Sequence, residues 1–191
     1  MTFVAQRLWF PEDAYIQLWD VKAVLFYFLL YSCAGWILEH GYHKLTTGSF
    51  AQEGFLHGPY KPMYGIAPVL ILASAGPGTP WWWLAALITL VPTLVEFTSG
   101  LLLKHFCRKQ WWDYSEQRFQ LGGHICLRFS LYWAALSFIV VYVLQPLFEF
   151  LYALAGPLWA WCWEAAAAGL LLDLLATCFK YMKRQVPAAA E

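Results

Sequence analysis

Apolar residues along this chain collect into five runs, at 23–43, 62–75, 81–103, 124–144 and 158–179, separated by polar breaks. At a helical rise of about 1.5 Å, a membrane span needs ~20 such residues. Four runs meet that length. The second is short and carries Gly65 and Pro68. It reaches the length only if residues 58–61 also enter the membrane, packed against protein. Residues 8–22 mix Trp9, Leu18 and Trp19 with Glu12, Asp13 and Asp20, and read as an interfacial segment with Pro11 near a helix start. The first seven residues lack the apolar core and cleavage site of a signal peptide, so the first span is expected to direct insertion. The pattern predicts an all-α, polytopic integral membrane helix bundle: a single transmembrane domain, 1–191, of about five spans plus the N-terminal interfacial segment.

Composition supports the bilayer. Hydrophobic residues make up 61% and charged residues 13% of the chain, which excludes a disordered, collagen-like or ordinary cytosolic protein. Twelve tryptophans suit rings at a membrane–water boundary. Twelve basic residues balance twelve acidic ones, so no basic surface for nucleic acid is expected.

Basic residues orient the spans. With five crossings, one face carries Arg7 and Lys22. The other carries Lys44 and Lys61, then Lys104, Arg108, Lys109 and Arg118, then Lys180, Lys183 and Arg184. Cytoplasmic loops hold the excess of Lys and Arg. The N-terminus is therefore expected outside and the C-terminus in the cytoplasm, in the cell's inner membrane. Trp81, Trp82 and Trp83, with Trp159, Trp161 and Trp163, would then mark the outer boundary.

Ionisable residues inside spans are costly and usually face a bundle interior or wet cavity. Glu39, Glu96, Arg128 and Asp173 all fall in the cytoplasmic half, whereas the outer half holds Glu164. They suggest a polar cavity open to, or lidded by, the cytoplasmic loops. Arg128 and Asp173, at matched depth, make a candidate structural ion pair. Glu39 and Glu96 have no basic partner within a span, so a cation, a loop residue or a proton must neutralise them. Glu39-His40-x-x-His43 could join Glu96 in holding a metal. Histidines at headgroup level are commonly interfacial, so a metal at Glu39, His43 and Glu96 is the less favoured reading. The five cysteines form no C-x-x-C and are expected unpaired. No phosphate-cradling glycine loop and no G-x-S-x-G elbow occurs, so no cofactor is identified and no catalytic residue is assigned.

Two cytoplasmic loops carry more aromatic area than a connection requires. One, 54–65, contains Gly58, Pro59 and Tyr60, whose backbone chemistry resembles a bent, cavity-lining segment. The other is Trp111-Trp112-Asp113-Tyr114-Ser115. We take Glu39, Glu96, Gly58, Pro59, Tyr60, Trp112, Asp113 and Tyr114 as the candidate cavity wall.

At these residues the chain resembles the ABC-transporter type IV (CmpB-like) membrane proteins of bacteria, and is similar to the animal transmembrane protein 229 group. The likeness lies in Gly35-Trp36-Ile37-Leu38-Glu39, in Gly54-Phe55-Leu56-His57-Gly58-Pro59-Tyr60 through Tyr64-Gly65, in Glu96-Phe97-Thr98-Ser99-Gly100, and in 111–115 followed by Ile125-Cys126-Leu127 and Ser130-Leu131-Tyr132-Trp133. The chain departs from that pattern at Glu53, Lys61, Gln120 and His124. Since Glu53 stands where the family places Arg, Lys61 or Arg128 would have to neutralise a site carboxylate. The resemblance implies a small permease-like protein served by a separate ATPase subunit or an ion gradient, with homo-oligomerisation enlarging its path. Two other functions fit the residues: a membrane-embedded enzyme acting on a lipid or isoprenoid-like substrate, and a capture subunit of a multi-component importer.

Overall fold

The structure is a computed structural model and describes residues 16–18, 20–50, 54–76 and 78–185. Helix α1, Val21–Thr47, opens where Asp20 accepts a hydrogen bond from the Ala23 amide. It closes on Gly48, whose φ of 78° turns its amide back onto the Lys44 carbonyl, the usual use of glycine after a helix. Helix α2, Pro62–Ser74, places Pro62 at its first position, where a missing N–H costs nothing. Helix α3 spans Trp81–Cys107. A two-residue hairpin, β1 Gln120–Leu121 with β2 Ile125–Cys126, turns through Gly122 and Gly123, both at positive φ. Helix α4, Leu127–Ile139, passes through a π-helical turn, Val140–Leu144, into α5, Gln145–Gln185.

Three segments are long and apolar enough to cross a membrane: Val21–Thr47, Trp81–Cys107 and Leu127–Lys183. Pro62–Ser74 is a shorter apolar helix. The break expected over 145–157 is helical instead. Gln145 explains it: fully buried, it accepts from Tyr31 Oη at 2.6 Å and donates to Glu149 Oε1 at 3.0 Å. A polar pair that reads as a loop is thus satisfied inside the bundle. The fourth run also starts later than expected, at Leu127, because Ile125 and Cys126 pair with β1.

The stretch from Leu127 onward folds back on itself. A straight helix would separate Leu127 from Tyr181 by roughly 80 Å. Yet the Tyr181 ring lies 5.6 Å from that of Trp111, Trp112 donates to the His124 carbonyl, and the Leu127 amide donates to Phe119. Those few links cannot bridge such a distance. Contacts along α1 locate the reversal. Trp133 borders the same crevice as Gly35 and Leu38, Gln145 bonds Tyr31, and Tyr152 lies 5.0 Å from Phe26. Trp159 continues that order by donating to the Lys22 carbonyl, and Lys22 also lies over the Trp163 ring. After that the order runs the other way: Ala167 lines a groove with Phe28 and Ile66, and Asp173 reaches the 57–60 loop. The turn therefore lies between Tyr152 and Ala167, a stretch in which Pro157 removes a helical hydrogen bond.

The bundle consequently has two unlike ends. At one, which we term the loop end, segments 54–61 and 108–126 meet the last turns of α5. At the other lie Lys22, the 76–80 connection and the α5 reversal. The apolar core sits towards that second end, around Phe26, Tyr27, Ile71, Leu72, Leu84, Leu87, Val141 and Phe148. Trp81, Trp82, Trp83 and Trp161 are exposed, as boundary rings should be. Much of the expected interfacial segment lies outside the described residues. Its end packs on the bundle: Ile16 is buried and its amide donates to Leu72.

Candidate functional site

Three in-helix carboxylates reach the loop end, and each is held by a loop residue rather than lining an open polar cavity. Asp173 is the most completely satisfied. It accepts from the backbone amides of His57 and Gly58, from Tyr60 Oη at 2.8 Å and from His57 Nδ1 at 2.8 Å. Thr177, one turn on, is buried with its hydroxyl 3.1 Å from the same imidazole nitrogen. A carboxylate with several donors is an anchor, and here it fixes the bent loop that Gly58 and Pro59 create. The arrangement raises the Tyr60 phenol to about 12, through burial first and the Asp173 hydrogen bond second.

The expected Arg128–Asp173 pair is replaced by this anchor. The Arg128 side chain is exposed, donates from Nε to Tyr132 Oη at 3.1 Å and lies over the Tyr132 ring. Arg128 sits one residue into α4, where it can reach solvent, so nothing forces it inward.

Glu39 forms an ion pair with Lys61. Lys61 also donates its amide to the Ser32 carbonyl, so the loop is tied to the middle of α1 just before α2 begins. Burial lowers the Lys61 ammonium to about 8, while the adjacent carboxylate acts the other way. The loop cation that the first span lacks is thus supplied locally. His40 is buried, stacks on Trp36 and bonds its carbonyl. Among the described residues no group of three or more His, Cys, Asp or Glu could hold a metal, so Glu39, His43 and Glu96 do not converge.

Glu96 differs. It is 2% exposed, in the interior of α3. Its Oε1 accepts from Tyr114 Oη at 3.0 Å, and the Trp133 indole faces the carboxylate. Its Oε2 has no hydrogen-bond partner among the described residues. Burial and the nearby carboxylate raise the Tyr114 phenol, keeping it a donor. Tyr114 stacks on Phe129 at 4.6 Å, which fixes its ring.

The 111–126 loop closes over this position. Trp112 Nε1 donates to the His124 carbonyl at 2.9 Å, and the Tyr114 amide donates to Gly123. Asp113 caps the turn at the Ser115 amide, which lowers its carboxyl. A Cβ on Gly123 would come within 2.7 Å of that carboxylate, and Gly123 is also at positive φ, so glycine is required on two counts. His124 is 3% exposed and abuts Gly100 of α3, and its Nδ1 has no hydrogen-bond partner among the described residues. Phe55, Trp111 and Tyr181 meet ring to ring and join both loops to the end of α5.

Of the candidate wall, the structure joins Gly58 and Tyr60 to Asp173, and Tyr114 to Glu96. Trp112 and Asp113 shape the covering loop. Pro59 is exposed, and Glu39 is engaged elsewhere. His57 and His124 are not in the candidate wall, yet His57 holds Asp173 and the His124 carbonyl accepts from Trp112 in the covering loop. Their signal was their place inside the glycine-bearing loop motifs. Beside Glu96 lies an apolar crevice of about 130 Å³, lined by Ala34, Leu38, Ala67 and Leu136 and ending at Tyr64 and Trp133.

Comparison with curated proteins and with solved structures gives no match. One family matches residues 26–178, a stretch that includes Glu39, the 54–61 and 108–126 segments, Glu96 and Asp173. The chain therefore belongs to the family described as "Putative ABC-transporter type IV".

Proposed function

We propose that the protein is a permease-like component of a transport system that binds its solute at Glu96 beneath the two loops. In this reading the chain crosses the inner membrane five times, with α5 contributing a hairpin, the N-terminus outside and the loop end in the cytoplasm. The observation that carries it is the Glu96 carboxylate, buried in an apolar helix with one oxygen unpartnered. Such a group costs several kcal/mol in a low-dielectric interior unless a ligand or proton compensates it. Asp173, with both oxygens accepting, and Glu39, paired with Lys61, show what a structural carboxylate looks like in this bundle. No nucleotide-binding motif occurs in the sequence, so energy comes from a separate ATPase subunit or an ion gradient.

Native mass spectrometry of the intact protein in mild detergent tests this. A stoichiometric partner with ATP hydrolysis that falls in Glu96→Gln, at unchanged assembly, supports transport. A lone protomer with no partner, and no Glu96-dependent flux in vesicles under an ion gradient, overturns it.

A second reading, a membrane-embedded enzyme acting on a lipid or isoprenoid-like substrate, is favoured by the apolar crevice that ends beside Glu96. Turnover of added lipid by the lone protomer would select it.

A further inference from the structure

We infer that Glu96 and the apolar crevice form one site for a primary-ammonium amphiphile, with its head on the carboxylate and its chain in the crevice. This rests on the reading of Glu96 as a binding carboxylate.

The two halves share a wall. Trp133 lines the crevice and its indole also faces the Glu96 carboxylate. Tyr64 packs on Trp133 at 4.8 Å and closes the same end. Trp133 divides crevice from carboxylate, and its ring must turn for one ligand to occupy both. The crevice is apolar and reaches the bundle surface beside Leu38, which is 48% exposed. A hydrocarbon chain can enter there from the side, with no aqueous path. The crevice volume of about 130 Å³ approaches the ~150 Å³ of a cavity that holds benzene. It takes part of one chain, not two.

The head end selects charge and donors. Among the described residues Glu96 makes no ion pair, and its free Oε2 needs a donor. An ammonium supplies three N–H groups and a positive charge. A quaternary ammonium brings charge without donors, and an anionic head would meet a buried carboxylate.

The test uses the full-length protein in phosphatidylcholine nanodiscs, titrated with dodecylamine and read by tryptophan fluorescence and native mass spectrometry. One molecule should bind, at least tenfold tighter than dodecyltrimethylammonium, with dodecyl sulfate not competing. Glu96→Gln should weaken dodecylamine at least tenfold. Ala34→Leu, which fills the crevice and leaves Glu96 alone, should weaken dodecylamine but not butylamine. Ser137→Leu replaces it if that variant fails to accumulate. Equal binding to Glu96→Gln, no chain-length effect in the filled crevice, or preference for the sulfate overturns the inference. Adding phosphatidylethanolamine to the nanodisc identifies the source. Competition with dodecylamine points to the bilayer lipid, and its absence to a free single-chain amine. Glu96-dependent transport without ammonium preference sinks this inference alone. Ammonium binding without transport sinks only the transport reading.

Discussion

His57 Nδ1 and Asp173 Oδ1 lie 116 residues apart in sequence and 2.8 Å apart in space. Around that contact two amides and one phenol converge on the same carboxylate, so Asp173 sets the shape of the 57–60 loop. Removing it strands several donors at once. Asp173→Ala should destabilise the protein by about 2–3 kcal/mol, in line with hydrogen bonds to a charged group. Asp173→Asn, which keeps one acceptor, should cost roughly half that. Thermal unfolding in detergent gives the magnitude. Limited proteolysis should show new cleavage within 54–61, and unchanged cleavage there would refute the anchor.

Close packing of α1 on α2 depends on glycine at one position. A Cβ on Gly35 would lie 2.1 Å from the Tyr64 ring, whereas one on Gly41 meets nothing within 4 Å. Gly35→Ala should therefore cost about 1–3 kcal/mol through overpacking. Gly41→Ala should be neutral, or stabilising by up to about 1 kcal/mol from helix propensity. Equal unfolding midpoints for the two variants would contradict the packing.

Tyr60 should titrate late. Its phenol is held near 12, against an ordinary value of 10.0. Between those values the folded protein keeps a proton that the unfolded chain releases. Stability from this group is therefore complete below pH 10 and is lost as pH rises towards 12. Difference absorbance between wild type and Tyr60→Phe should show no tyrosinate from this residue at pH 10.5. A normal titration would show that the Asp173 bond is absent.

The fold-back of α5 has a direct length test. Spin labels at Leu131 and Phe179, both exposed, would lie roughly 70 Å apart on a straight helix. In a background with the native cysteines replaced, they should instead report a distance well under that value. A long distance would require every contact of Asp173 and Tyr181 described above to be wrong.

How far the sequence disclosed this arrangement depends on the range of the interaction. Helices at 23–43, 62–75 and 81–103 were legible because apolar run length is a local property, and α1, α2 and α3 match them closely. Glycine and proline in 54–65 correctly marked a bent segment. What stayed hidden were partners. Arg128 and Asp173 were matched by depth alone, but depth does not say which way a side chain faces, and Arg128 turned out to solvent. Gln145 and Glu149 read as a loop because nothing nearby in sequence accounts for them; Tyr31 does, from another helix. Glu96 was legible as an oddity. That it keeps one oxygen unpartnered, while Glu39 takes Lys61, depended on three-dimensional packing.

The direction of protein synthesis gives the Asp173 anchor another meaning. The 57–60 loop leaves the ribosome long before Asp173 does. Until the second arm of α5 has turned back beside α1, that loop has no acceptor for its amides or for Tyr60. A later helix thus completes an earlier loop. A chain that stalls before residue 173 would be left with the donors of its 57–60 loop unmatched.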